Sequence, residues 1–215
     1  MRIESFLSFA PAMDTINRII EKAHTLFFTY GVKSVTMDEI AAHLGVSKKT
    51  IYQHFSDKDQ LVEAVLKNEI EKDHQECARH KAESDNAIHE VFMAIEMLRE
   101  MLANMNPAII FELRKYHPAA FKIFQEHMNK FMLSVVSNNI ERGIKEGLYR
   151  EDVPVDIAAR LRIDSIFIPF NQDLFPPTKY TLFDVEYKLM ELFLFGLATA
   201  KGQKLIYKYK QAQSI

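Results

Sequence analysis

Residues 36–58, TMDEIAAHLGVSKKTIYQHFSDK, leave the chain little choice of local fold, because every signal in them points to a helix, a tight turn and a second helix. Thr36 and Glu39 have the T-x-x-E spacing of a capping box, which satisfies two free amides at a helix start. Ile40, Ala41 and Leu44 follow at helical spacing, so a short helix is expected over 37–44. Gly45 stands where the backbone must turn sharply, and Ser47 is a strong N-cap for a second helix from Lys48. Ile51 and Phe55 then face the first helix. Lys48, Lys49, Thr50, Tyr52, Gln53 and His54 are left for contact elsewhere, and Ser56 is expected to cap a further helix whose first turn holds Lys58. The arrangement is a helix-turn-helix, with the small Ala41 where the two helices cross.

The free side of the second helix suits a DNA groove. Two lysines and a threonine at its start offer cationic and hydroxyl contacts where the helix dipole favours phosphate oxygens. Lys48, Lys49, Thr50 and Gln53 are the base-edge candidates, and Thr36, Tyr52, His54 and Lys58 the candidates for holding the phosphate backbone. A bare helix-turn-helix is also compatible with a solvated helical hairpin carrying two surface lysines. More of the sequence matches than the bare motif. The segment RIIEKAHTLFFTYGVKSVTMDEIAAHLGVSKKTIYQHFSDKDQLVEAVL carries YG before the hairpin, then T-x-x-x-I-A, L-G-V-S, Y-x-H-F and K-x-x-L. On these residues the chain resembles the TetR/AcrR family of transcriptional regulators, contiguously over 14–66. The resemblance implies a homodimeric, cytoplasmic, DNA-binding regulator that reads a near-palindromic double-stranded operator and whose C-terminal domain binds a small molecule. Repression is that family's usual outcome; activation, or a helical protein-interaction module without a ligand, is the alternative.

Composition sets the remaining bounds. At 48% hydrophobic the 215 residues suffice for a small and a medium domain, and the scarcity of glycine and proline with repeats every three or four residues points to an all-α chain. The expected division is a three-helix DNA-binding domain over 1–56, with an arm over 1–12 that is mobile or follows an upstream start, and a helical ligand-binding and dimerisation bundle over 57–215. Net charge is −2, and residues 1–60 hold seven Lys plus Arg against seven Asp plus Glu, so the cationic footprint for DNA must be local, at Lys48, Lys49 and Lys58. One cysteine excludes an intramolecular disulfide, and no apolar run approaches a membrane span.

Beyond the hairpin the periodicity predicts long helices over 57–82, 84–105 and 119–146, a short one over 108–116, and two more over 154–167 and 182–200, with 201–210 a solvated basic end. His74, Cys77 and His80 are spaced by three, but such steps rotate about 60° each around a helix, so the outer two diverge by about 120° and no metal site is expected. Methionines and phenylalanines widen the apolar faces of the middle helices. Core filling accounts for any one of them. As a group, on the strength of the resemblance, Phe92, Met93, Met97, Met101, Phe111, Phe124, Met128 and Phe131 are expected to line a pocket for a small apolar or amphipathic ligand. The last two helices are apolar on two faces and need a partner; the resemblance implies that they pair with their twins in a four-helix bundle through Leu161, Ser165, Ile168, Val185, Leu189, Leu192, Phe193 and Gly196. No phosphate-cradling glycine loop, G-x-S-x-G or H-E-x-x-H occurs, so neither catalysis nor a cofactor is expected.

Overall fold

Helix α1, Ala12–Tyr30, is stopped by Gly31, whose φ of 85° is open to glycine and strained for other residues. The computed structural model describes residues 12–212, and side chains from 15 onward, so the expectation for the arm lies almost wholly outside the described residues. Next come α2, Met37–Leu44, and α3, Lys48–Tyr52, the helix-turn-helix pair, and then α4, Lys58–Glu83. Ile19, Ala23, Phe27, Ile40, Ile51 and Leu61 are buried together as the core of this head. That cluster does not stop at the head: Ile109, Leu113 and Ala120 from the following helices belong to it.

The chain continues through α5 (Ala87–Leu102), α6 (Ile109–Tyr116) and α7 (Pro118–His127). A π-turn over Met128–Met132 leads into α8 (Leu133–Lys145), so the expected helix over 119–146 is one continuous rod with a single wide turn in it. Helix α9 is Val155–Ser165, followed by a short 3-10 turn, Ile168–Phe170; α10 is Leu182–Leu197 and α11 is Ala200–Ala212. A second core gathers Ile88, Ile95, Ile140, Tyr149, Leu194 and Ile206.

Several expected features fall elsewhere, some through local capping and some through contacts distant in sequence. Helix α4 is capped by Asp57, whose Oδ1 accepts the Gln60 amide at 2.8 Å, while Ser56 offers its own amide to Gln60. Asn86, rather than Ser84 or Asp85, caps α5, its Oδ1 accepting from the Ile88 and His89 amides at 3.1 and 2.9 Å. Ser84 instead accepts a hydrogen bond from Arg142, whose guanidinium also reaches Glu90 at 3.0 Å and Glu146 at 2.7 Å, tying α4, α5 and α8 into one corner.

The expected helix over 182–200 ends at Leu197 because Leu197 and Thr199 pair like a strand with 148–150: the Arg150 amide donates to the Leu197 carbonyl and the Thr199 amide to the Leu148 carbonyl, both at 2.9 Å. After that break the supposed solvated end folds as α11. Ile206 is fully buried, Tyr209 lies against His89 and Phe92 and accepts from Asn86 at 3.0 Å, and Gly202 sits so close to the Leu148 carbonyl that a Cβ there would lie 2.2 Å from its oxygen.

Candidate nucleic-acid interface and ligand cavity

The capping box is formed: the Thr36 hydroxyl accepts the Glu39 amide at 3.2 Å, and Glu39 accepts the Thr36 amide at 2.7 Å. Hydrogen bonds from Thr36 hold the Glu39 carboxyl below its ordinary range. Gly45 turns the chain at φ 67°, and Ser47 caps α3 by accepting from the Thr50 amide at 3.1 Å. Ile51 and Phe55 pin α3 to the head, and Lys48, Lys49, Tyr52 and Gln53 stand outside it, with Thr50 and His54 half-buried.

These side chains are not equally free. Lys49 and Gln53 have no ion pair or side-chain hydrogen bond among the described residues. Lys48 lies 2.8 Å from Asp38 at the surface, a contact weak enough for a phosphate to displace, and Thr50 shares a hydroxyl hydrogen bond of 2.9 Å with Ser47. Lys58 points the other way. Its ammonium donates to the Val32 carbonyl in the turn between α1 and α2 and sits 5.8 Å from the Phe27 ring, and burial lowers its pKa. In the chain without DNA it fastens the first turn of α4 to the α1–α2 turn instead of standing open to a phosphate.

That turn is clamped from the far side too, a feature the sequence did not reveal. Glu112 of α6 accepts from the Lys33 amide at 2.9 Å, and the Asn106 amide donates to the Phe28 carbonyl at 2.6 Å. His117 pairs with Asp59 at the start of α4. A Cβ on Gly31 would come 2.8 Å from the Glu112 carboxylate, so the clamp needs glycine there for space as well as for its φ.

Behind the clamp lies a cavity of about 180 Å³. Its wall is drawn from α1 of the head, from α4, α5, α6, α7 and α10, and from the π-turn and the 3-10 turn. Of the eight residues expected to line it, Met97, Met101, Phe124 and Met128 do. The other four lie off it. Phe92 faces the second core, Met93 looks onto the groove between the end of α4 and α11, Phe111 is 59% exposed, and Phe131 packs its ring 3.8 Å from that of His74. Helix α5 has two apolar faces, and the cavity takes the one carrying Met97, Leu98 and Met101.

The cavity also has polar lining residues that periodicity could not single out: Glu69, Asp73, Cys77, His127 and Glu186. Burial, and after it Asp73, push the Cys77 thiol up to about 11. At pH 7.5 its thiolate fraction is then about 300-fold below that of an ordinary cysteine. We expect iodoacetamide to label Cys77 in the folded chain at least 100 times more slowly than in the unfolded chain; mass spectrometry showing labelling within tenfold of the unfolded rate would contradict this.

The residues expected to hold a partner subunit separate as well. Leu161 is 63% and Leu192 70% exposed, and Gly196 has open space where a Cβ would stand. Ile157, one turn before Leu161 on the same apolar side of the helix, is exposed with them. Val185 is corrected: it is buried within its own chain. Leu189, Ile168 and Phe193 are half-buried, the last against the second core, and the Ser165 hydroxyl donates to the Arg162 carbonyl at 2.7 Å.

A family model described as bacterial regulatory proteins, tetR family, matches residues 19–65. The HTH-type transcriptional regulator YhgD of Bacillus subtilis is 30% identical over 150 residues, 63% of this chain and 72% of that protein. YvaF of the same organism, another HTH-type transcriptional regulator, is 40% identical over 85 residues, 39% of this chain and less than half, 45%, of YvaF. Among solved structures, the transcriptional regulator FadR from Bacillus subtilis in complex with stearoyl-CoA shares the fold at a TM-score of 0.66 and 21% identity, covering 84% of this chain and 98% of that one. With its capped helix-turn-helix inside the matched segment and YhgD aligned well past it, the chain belongs to the tetR family of bacterial regulatory proteins.

Proposed function

We propose that this DNA-binding regulator is a homodimeric repressor that leaves its operator when an apolar or amphipathic small molecule fills the cavity. One observation carries the reading: the wall of the cavity includes Phe27, Phe28 and Val32 of the head itself, so whatever occupies it touches the element that aims α3. FadR, which shares the fold, is described in complex with stearoyl-CoA, which supports a small-molecule ligand for a chain of this fold.

In this reading residues 1–56 form the DNA-binding domain and 57–215 the ligand and dimerisation domain. Lys49 and Gln53 read base edges, with Lys48 joining them once it leaves Asp38, and Thr50 beside them. Thr36, Tyr52 and His54 hold the backbone. Two heads joined by symmetry read half-sites roughly 34–36 Å apart or a small multiple of that. A ligand that prefers the wrongly spaced dimer by 1–3 kcal/mol weakens operator binding roughly 5- to 150-fold. Two levers connect cavity and head: α4, which begins at the Lys58–Val32 contact, and α6, through Glu112 and the Lys33 amide.

Selection from random duplex DNA should return a near-palindrome bound by the chain in a salt-dependent way; recovery of no preferred sequence would sink the reading. On the selected duplex, Lys49→Ala should cost about 10-fold or more in affinity, relax preference at one base position per half-site and reduce the salt slope by about one. Lys58→Met should leave the salt slope in place, since its ammonium is held by Val32. Fluorescence anisotropy across a salt series distinguishes the two, and a flattened slope in Lys58→Met would return that lysine to the phosphates.

A further inference from the structure

The polar groups on the cavity wall are not of mixed sign. Glu69, Asp73 and Glu186 are carboxylates, His127 and Cys77 complete the set, and among the described residues no lysine or arginine lines the space. Two of these groups are buried with hydrogen-bonding capacity unfilled. Glu186, 4% exposed, gives Oε1 to Arg162 and leaves Oε2 without a hydrogen bond. His127, 7% exposed, has neither ring nitrogen hydrogen-bonded, and its Nε2 stands 3.4 Å from Asp73 Oδ2. A folded interior leaves few such atoms unpaired, and an unpaired acceptor on a residue that lines an apolar cavity is suited to a donor brought in by a ligand.

Resting on the reading of this cavity as the effector site, we propose that its ligand is an amphiphile ending in a protonated amine, with Glu186 Oε2 accepting from the ammonium. An ammonium carries donors and no acceptor, matching a wall whose fully charged groups are all acceptors. Asp73 is the second acceptor within the same space. A carboxylate or phosphate end group would instead meet Glu69, Asp73 and Glu186 with no lysine or arginine on the wall, His24 and Lys72 behind it being taken up by Glu69 at 3.1 and 3.8 Å, and like charges at short range in a low-dielectric site repel strongly. The Arg162 guanidinium does not supply that cation: it is bound to Glu186 Oε1 and to the Ser165 hydroxyl at 2.9 Å. Methionines and phenylalanines along the rest of the wall, Met97, Met101, Phe124 and Met128 among them, accept an alkyl or aryl body without demanding one shape.

The test is isothermal titration of the full chain at pH 7 with three probes of one length, dodecylammonium, dodecanol and dodecanoate, each below its micellar concentration. Dodecylammonium should bind at least tenfold more tightly than dodecanoate, with dodecanol between them. Glu186→Gln, which keeps an acceptor for Arg162 and removes the charge, should bring the ammonium-to-carboxylate ratio below about threefold; an unchanged ratio overturns the role of Glu186. Should that variant fail to fold by circular dichroism, Asp73→Asn and the unmodified chain decide: a ratio that falls in Asp73→Asn from a tenfold starting value upholds the acidic wall. Dodecanoate binding as tightly as dodecylammonium to the unmodified chain overturns the amine class and leaves the effector cavity standing. Failure of all three probes to bind removes the effector reading itself.

Discussion

Arg162→Ala should lower the unfolding free energy by about 3–5 kcal/mol, the range for removing one partner of a buried ion pair. Arg162 and Glu186 join α9 to α10, and both are buried. The guanidinium also donates to the Ser165 hydroxyl and lies 3.9 Å from the Met190 sulfur. With it removed, the Glu186 carboxylate stays inside without a counter-charge, and that stranded group, more than any lost attraction, sets the size of the effect. The pair itself contributes little net stability, because two charges were taken out of water to make it. The double variant Arg162→Met, Glu186→Leu should therefore recover most of the loss, to within about 1–2 kcal/mol of the original chain. Guanidinium denaturation at one fixed protein concentration measures both, since a dimer's midpoint depends on concentration. A single-variant cost below about 1 kcal/mol would mean that water reaches the pair. The double variant should also lose any preference for an amine, which connects this stability test to the ligand test through Glu186.

How far the sequence disclosed these features follows from the distance over which each is determined. The head was legible because its signals are local: the capping box spans four residues, and Gly45 and Ser47 set the turn within three. Helix α2 runs over 37–44 as the spacing predicted, and α3 starts at Lys48. Lys58 shows the limit. Nothing in K-x-x-L tells a phosphate contact from a hydrogen bond to a carbonyl 26 residues earlier.

The bundle was legible in its helices and not in their faces. Helix α5 carries apolar residues nearly all round, and whether Phe92 or Met101 meets the cavity depends on where α11 and the π-turn lie. Helix α11 itself had a readable stripe in Gly202, Ile206 and Tyr209, outweighed by its four lysines when composition was the guide. The break before it comes from pairing with Leu148 and Arg150, some fifty residues away, which no window of local propensity contains. The acidic wall draws Glu69, Asp73 and Glu186 from helices more than a hundred residues apart, and only the packed chain brings them to one space.

Leu161→Asp combined with Leu192→Asp should convert the proposed homodimer to monomers at 10 µM and weaken operator binding at least 100-fold. In a two-fold interface each substitution meets its own copy, so every dimer would hold four new carboxylates in a contact that was apolar. Both leucines are exposed within the single chain, and so are Ile157 beside them and the open backbone of Gly196. The fold of the monomer therefore does not depend on them, and its helical circular dichroism should survive. Operator affinity falls because two heads on one dimer bind the second half-site at a high effective concentration, a gain of about 10²–10⁴ that separated monomers lose. Binding to random DNA by each head, carried by Lys48 and Lys49, should change far less, so the specificity ratio collapses more than the bare affinity. Sedimentation equilibrium and anisotropy on one preparation decide the matter. A double variant that remains dimeric would move the interface off the face carrying Leu161 and Leu192. One that becomes monomeric yet holds its operator affinity would separate DNA reading from pairing, and a ligand acting on head spacing would then have nothing to act through.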